Sequence, residues 1–152
     1  MSEPLLWSDN SRLGYEPMDA IHEEFVALVF RLQTAAENQL TTLLDELLQH
    51  TEAHFSQEDK WMNETGFPPR ECHIDEHSAV LASIRDVQRR LAGGETGPCR
   101  VLGNALADWF PGHATHLDSA LAHWMFKRKY GGKPVVIHRT MTQSDSTQSS
   151  NS

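Results

Sequence analysis

Cysteine is nearly absent: Cys72 and Cys99 are the only two in 152 residues, and they lie far apart. That excludes a disulfide framework and a CxxC metal or redox motif, and leaves both as expected free thiols in a reducing compartment. Basic charge is also scarce, with 13 Lys and Arg against 21 Asp and Glu and a net charge of −8. Such a surface repels phosphate backbones and anionic lipid, so neither nucleic acid nor a membrane is an expected partner. No stretch approaches the roughly 18 apolar residues of a membrane span. The segment Met1 to Pro17 has no basic region followed by an apolar run, so it does not read as a leader. A cytoplasmic protein is expected. Alternating strand-like runs and internal repeats are missing too, and the length fits one domain.

What the sequence does have is histidine, nine in all, at positions 22, 50, 54, 73, 77, 113, 116, 123 and 138. Four amphipathic segments carry them. Asp19 to Glu37 places Ile21, Phe25, Leu28, Val29 and Leu32 at helical spacing, with Pro17 in the first turn. Thr41 to Asn63 follows, with Leu44, Leu47, Leu48, Phe55 and Met62 in register and Thr41 as cap; Gly66-Phe67-Pro68-Pro69 ends it. The third segment, Arg70 to Leu91, has Val80, Ile84, Val87 and Leu91 as its stripe and stops at Gly93-Gly94. The fourth runs from after Pro98 to Gly131-Gly132, and Pro111-Gly112 in its interior predicts a kink or bulge. Four helices of similar length with short connections predict an all-α, up-down-up-down antiparallel four-helix bundle. The expected division is a domain over 1–132, with an N-terminal arm over 1–17, and a polar, disordered extension over 133–152.

The histidines matter because several fall on the apolar faces. His22 lies one turn before Phe25. His54 and Glu58 are four apart and share a face, as do His73 and His77, while His113 sits between Trp109 and Leu117 at one-turn spacing, with Asp118 five residues on. One inward histidine is commonly a satisfied core residue. Burying this many ionisable groups together would cost several kcal/mol each or force them neutral unless they hold metal. Five imidazoles and two carboxylates are too many donors for one tetrahedral zinc, and they suit two ions sharing the carboxylates as bridges. Imidazole with carboxylate suits iron, with manganese, cobalt and zinc left open.

The order His22, then His54-Phe55-Ser56-Gln57-Glu58, then His73-Ile74-Asp75-Glu76-His77, then His113 with Asp118 resembles the hemerythrin family. Asp19 three residues before His22 and Trp109 four before His113 add to the likeness, which runs from about Trp7 to residue 130. The resemblance implies that His73, His77 and His113 hold one iron and His22 and His54 the other, with Glu58 and Asp118 bridging beside an oxo or hydroxo group. It implies reversible dioxygen binding at the second iron, for transport, storage or delivery, and no enzymatic role. Phe25, Trp109, Phe110 and Leu117 are the expected dry lining of the oxygen pocket. Asp118 rests on the family spacing alone: an ideal wheel puts it about 140° from His113, whereas His116 lies about 60° to the other side. His116 is therefore read as a flanking residue, His50 as solvated, and His123 and His138 as outside the site. Dioxygen is the expected partner, the chain is expected to be a monomer, and any client protein is unidentified. The competing readings are a di-iron oxidase, a peroxide- or iron-handling protein, or a stand-alone oxygen or redox sensor. Carboxylate-rich sites favour oxidation chemistry, and five neutral imidazoles favour reversible binding.

Overall fold

A computed structural model of the chain describes residues 3–131, and every regular element among them is helical. Helix α1 spans Glu16–Thr34, α2 Leu40–Thr65, α3 Arg70–Ala92 and α4 Gly97–His113; a π-helical segment, Ala114–Asp118, then leads without a break into α5, Ser119–Tyr130. The residues at the two junctions, Ala114 and Ser119, keep right-handed helical dihedrals, so α4 and α5 act as one rod. The first rod packs on α2 and on α4, and α3 packs on the same two, which closes a ring of four. The predicted extension over 133–152 lies outside the described residues.

Local chemistry explains the element ends. Pro17 sits in the first turn of α1, where its missing N–H removes no intrahelical bond. The first helix ends at Thr34, earlier than periodicity alone predicts, because the chain turns extended at Ala35. There the Arg100 guanidinium takes the Gln33 carbonyl and, at 2.8 Å, the Ala35 carbonyl, satisfying acceptors that a helix end leaves free. Thr41 is not a cap. A 3₁₀ turn over Glu37–Gln39 precedes α2, and the helix begins at Leu40 with no side-chain cap, so Thr41 lies inside it. Gly66 closes α2 in the left-handed region at φ 65°, a conformation a Cβ would strain. Its amide reaches back to the Met62 carbonyl.

Two apolar clusters fill the bundle, and each of the four rods contributes to both, α3 to the smaller one through the half-buried Ile74. One gathers Phe25, Val29, Leu32, Leu44, Leu47, Ile84, Leu102 and Leu106 among others. A smaller one gathers Tyr15, Met18, Met62, Phe67, Leu121 and Ala122. Along the chain the order alternates: α1 passes from the smaller cluster to the larger, α2 from larger to smaller, α3 back again, and the α4–α5 rod from larger to smaller. On every rod the buried His, Glu and Asp residues fall between the two. The interior is thus layered as apolar, polar, apolar.

The N-terminal arm is tied down at two points. The carboxylate of Asp19, only 2% exposed, accepts the Leu13 amide at 2.7 Å and the Gly14 amide at 3.0 Å. Farther along, Gln33 Oε1 accepts the Leu5 amide at 2.9 Å, while its Nε2 donates to the Glu3 carbonyl and to Asn104 Oδ1. Asp19 is thus a clamp on the arm, one turn before His22. Replacing Asp19 with Ala leaves two amides without their acceptor in a half-buried setting, and the expected loss is about 1–3 kcal/mol of unfolding free energy. Urea denaturation checks this: the midpoint falls while the m-value stays constant.

Candidate metal centre

The polar layer is assembled from all four rods. His22 enters from α1, His54 and Glu58 from α2, His73 and His77 from α3, His113 from the end of α4 and Asp118 from the end of the π segment. All seven are buried, and Glu58 and Asp118 have no exposure at all.

Glu58 and Asp118 divide their oxygens between two groups of histidines. Glu58 Oε2 lies 2.9 Å from His54 Nε2 and 3.3 Å from His22 Nε2. Its other oxygen, Oε1, lies 3.2 Å from His77 Nε2 and 3.5 Å from His73 Nε2. Asp118 repeats the pattern: Oδ2 is 3.1 Å from His22 Nε2, and Oδ1 is 2.7 Å from His73 Nε2 and 3.2 Å from His113 Nε2. One group of donors, His73, His77 and His113 with both carboxylates, has its ligand atoms within 4.8 Å of one another; a second joins His22 and His54 to Glu58.

This donor set fits two metal ions. Glu58 Oε1, both Asp118 oxygens and the Nε2 atoms of His73, His77 and His113 are buried and make no hydrogen bond, despite their mutual proximity. Polar atoms held dry without hydrogen bonds in such number are costly, and a cation between them removes that cost. Thiolates play no part, since Cys72 is exposed and Cys99 is buried within the larger apolar cluster.

Asp118 reaches the layer through the π segment. The Ser119 amide donates to the Ala114 carbonyl five residues back, in place of Thr115. Thr115 O receives the Ser119 hydroxyl instead, at 2.5 Å. With hydrogen bonds running i→i+5, residues five apart stack as neighbours, and His113 and Asp118 are five apart. The α-helical wheel that separated them by about 140° does not apply there. Pro111 has no N–H to give to the Ala107 carbonyl, yet the helix stays α-helical through His113, so the irregularity comes one turn later than Pro111-Gly112 predicts. His116 and His123 are exposed and stand away from the layer. His138 lies outside the described residues.

The four lining residues separate. Phe110 meets His22 edge-on at 5.2 Å, and Phe25 lies 5.6 Å from His54 and 5.1 Å from Phe110, so both flank the two-histidine side. Trp109 stacks on His113 at 4.2 Å, on the opposite side. Leu117 is half-buried and belongs to neither apolar cluster. The π turn gives the place one turn after His113 to Asp118, and Leu117 is turned aside. His50 is not a solvated residue, because its ring packs against Phe25 and His54. Burial and the neighbouring His54 push its imidazole down to about 4.

Two residues that spacing did not single out stand behind the histidines. His77 Nδ1–H donates to Asp59 Oδ1 at 2.8 Å, and His113 Nδ1–H donates to Glu76 Oε1 at 2.8 Å. The Trp109 indole N–H donates to the same Glu76 oxygen at 3.2 Å. Each pair joins different helices, so no single-helix periodicity could have revealed it.

Electrostatics couple the layer to pH. Burial opposes a charge on His22, but the Asp118 and Glu58 carboxylates outweigh it and lift the imidazole from 6.5 to about 10. The same balance raises His73 to about 9. Burial and the Glu58 charge push Asp118 upward, yet His113, His22 and His73 hold it well below the usual carboxylate range. In protein stripped of metal, the raised imidazoles contribute stability that is complete below pH 6.5 and is lost as pH rises through 9 to 10.

Residues 13–124 match the hemerythrin family, described as the hemerythrin HHE cation binding domain. The chain is 38% identical over 122 residues to a bacteriohemerythrin of Ralstonia nicotianae, covering 80% of this chain and 89% of the relative. It is 25% identical over 122 residues to a bacteriohemerythrin of Stenotrophomonas maltophilia, covering 78% and 79%. A myohemerythrin of Riftia pachyptila is 30% identical over 89 residues, covering 58% and 72%. No solved structure matches the chain. Fold and site define a helical-bundle protein whose metal centre is built from histidine and carboxylate. The chain belongs to the hemerythrin family.

Two outcomes follow from the geometry. Asp118→Ala removes an oxygen from each histidine group, so bound metal drops well below two ions per chain, whereas His116→Ala retains two; elemental analysis of the purified variants distinguishes them. Metal uptake by stripped protein near pH 7 expels protons from His22 and His73, so the apparent affinity rises with pH up to about 9 to 10. Calorimetry in buffers of different ionisation heat counts those protons.

Proposed function

We propose that the protein binds dioxygen reversibly at a di-iron centre. The split of each bridging carboxylate between two histidine groups carries this reading, since it offers two adjacent ion positions with unequal donor sets. His73, His77 and His113 would hold one iron and His22 and His54 the other, with Glu58 and Asp118 shared and an oxo or hydroxo group completing the bridge. The irons supply the electrons that make oxygen uptake and release possible. The two-histidine position has one donor fewer, and it is the one left open to a small ligand.

The residues around that position exclude water. Phe25 is fully buried, Phe110 is 5% exposed, and together they cover the His22 and His54 rings with apolar carbon. Dry walls suppress proton delivery and the hydrolytic side reactions that would make oxidation irreversible. Five neutral imidazoles against two carboxylates leave less negative charge on the metals than a four-carboxylate site, which supports binding over oxygen cleavage and a carrier over an enzyme.

The wider reading follows the same observations. Alternation between the two apolar clusters, with connections of five, four and four residues, supports an up-down-up-down bundle. Residues 1–132 form one domain in this reading, because every rod contributes a donor, and 133–152 are an extension to it. The large apolar side chains exposed among the described residues are Leu6 on the arm and Val101 and Tyr130 near opposite ends of the α4–α5 rod, scattered singly, which supports a monomer. No helix among the described residues is long and apolar enough to cross a membrane. Two free cysteines suit the reducing cytoplasm.

The test uses iron-loaded protein, reduced without oxygen and then exposed to air while the visible spectrum is recorded. A charge-transfer band that appears with air and disappears on deoxygenation is the expected result; irreversible oxidation, or no band, overturns the reading. Phe110→Ser opens the dry wall to water, and its oxygenated form is expected to decay several-fold faster than wild type in the same cuvette.

A further inference from the structure

The five histidines differ in what stands behind them. On the three-histidine side, Asp59 receives the Nδ1–H of His77 and Glu76 that of His113, each at 2.8 Å. The Nδ1 of His73, the third histidine of that side, is buried without a hydrogen bond, and so are both Nδ1 atoms opposite, those of His22 and His54. A carboxylate behind an imidazole holds the tautomer whose Nε2 lone pair faces inward and makes that nitrogen a stronger donor. The three-histidine position therefore has two reinforced donors and the two-histidine position has none.

We infer that Asp59 and Glu76 are positioning residues that make the two metal positions unequal, so that the ion held by His73, His77 and His113 is the last to leave. The inference rests on the di-iron reading above. It concerns affinity more than folding: the Asp59 side chain is 30% exposed and that of Glu76 45% exposed, so neither fills the core. Trp109 adds a constraint on Glu76. Its indole N–H occupies the same oxygen, fixing the carboxylate where the His113 ring, stacked on the indole, can reach it. On their outer side the rings of His22 and His54 have no partner at Nδ1, so they are oriented by the Glu58 oxygen that both Nε2 atoms approach and by packing against Phe110 and Phe25.

The experiment is iron release from the full-length, iron-loaded protein into an excess of EDTA. Wild type is expected to release one iron in a fast phase and one in a slow phase, with rates differing by about tenfold or more. In the Asp59→Asn, Glu76→Gln double variant, the slow phase accelerates by roughly ten- to a hundredfold while the fast phase keeps its rate. A loss of general stability would speed both phases, so selectivity for the slow one separates positioning from folding. Each single variant is expected to show part of the same acceleration, which covers the case of a double variant that does not fold. His54→Ala should leave one iron that departs at the slow rate. A slow phase unchanged in the folded variants overturns the inference, as does a fast-leaving iron retained by His54→Ala. Two irons leaving wild type at one rate also overturns it, without touching the di-iron reading. Fewer than two irons in loaded wild type overturns that reading and the inference with it.

Discussion

The burial of Glu58 is the constraint on which the rest of the structure depends. A carboxylate with no solvent contact must have its charge answered from within the protein. The answer comes from four histidines on three helices, His22, His54, His73 and His77, with Asp118 placed beside them between the same groups. Each helix must therefore present its polar residues at one common height. The two apolar clusters above and below hold the helices at that height, and they keep water from satisfying the polar atoms in the metals' place.

The same demand accounts for the irregular part of the fold. His113 and Asp118 both belong to the fourth rod, and a plain α-helix cannot point residues five apart in one direction. A π segment can, at the cost of displacing one amide from its usual acceptor. The Ser119 hydroxyl offsets that displacement by bonding the Thr115 carbonyl. Here a local departure from ideal helix geometry sits at the functional site, as π segments commonly do. The arm clamp at Asp19 and the Arg100 contacts at the end of α1 are further cases of polar side chains answering backbone groups, and they fix the rod that carries His22.

Asymmetry is the second theme. Each carboxylate turns one oxygen toward each histidine group, but the groups differ in number, in the aromatic rings against them and in the groups behind them. Trp109 and Glu76 support His113, and Asp59 supports His77, while Phe25 and Phe110 dry the side of His22 and His54. A centre that exchanges a small ligand at one ion and keeps the other closed needs this division of labour: rigid, well-oriented donors on one side and an apolar wall on the other.

Much of this was legible in the sequence because helical periodicity is a local property. Spacing alone placed His22, His54, Glu58, His73, His77 and His113 on inward faces, and glycine and proline marked where helices stop. Spacing also failed in informative places. It ended α1 too late, because the turn at Ala35 is held by Arg100 from another helix. Leu117 was set in the lining and Asp118 off the axis of the site, since a wheel assumes one hydrogen-bond pattern throughout. The sequence by itself determined which side chains each helix offers to the interior. Only the tertiary structure decided how Asp59 meets His77, how Glu76 meets His113 and Trp109, and which histidines share each carboxylate oxygen, because those contacts depend on how separate helices are rotated and aligned against one another.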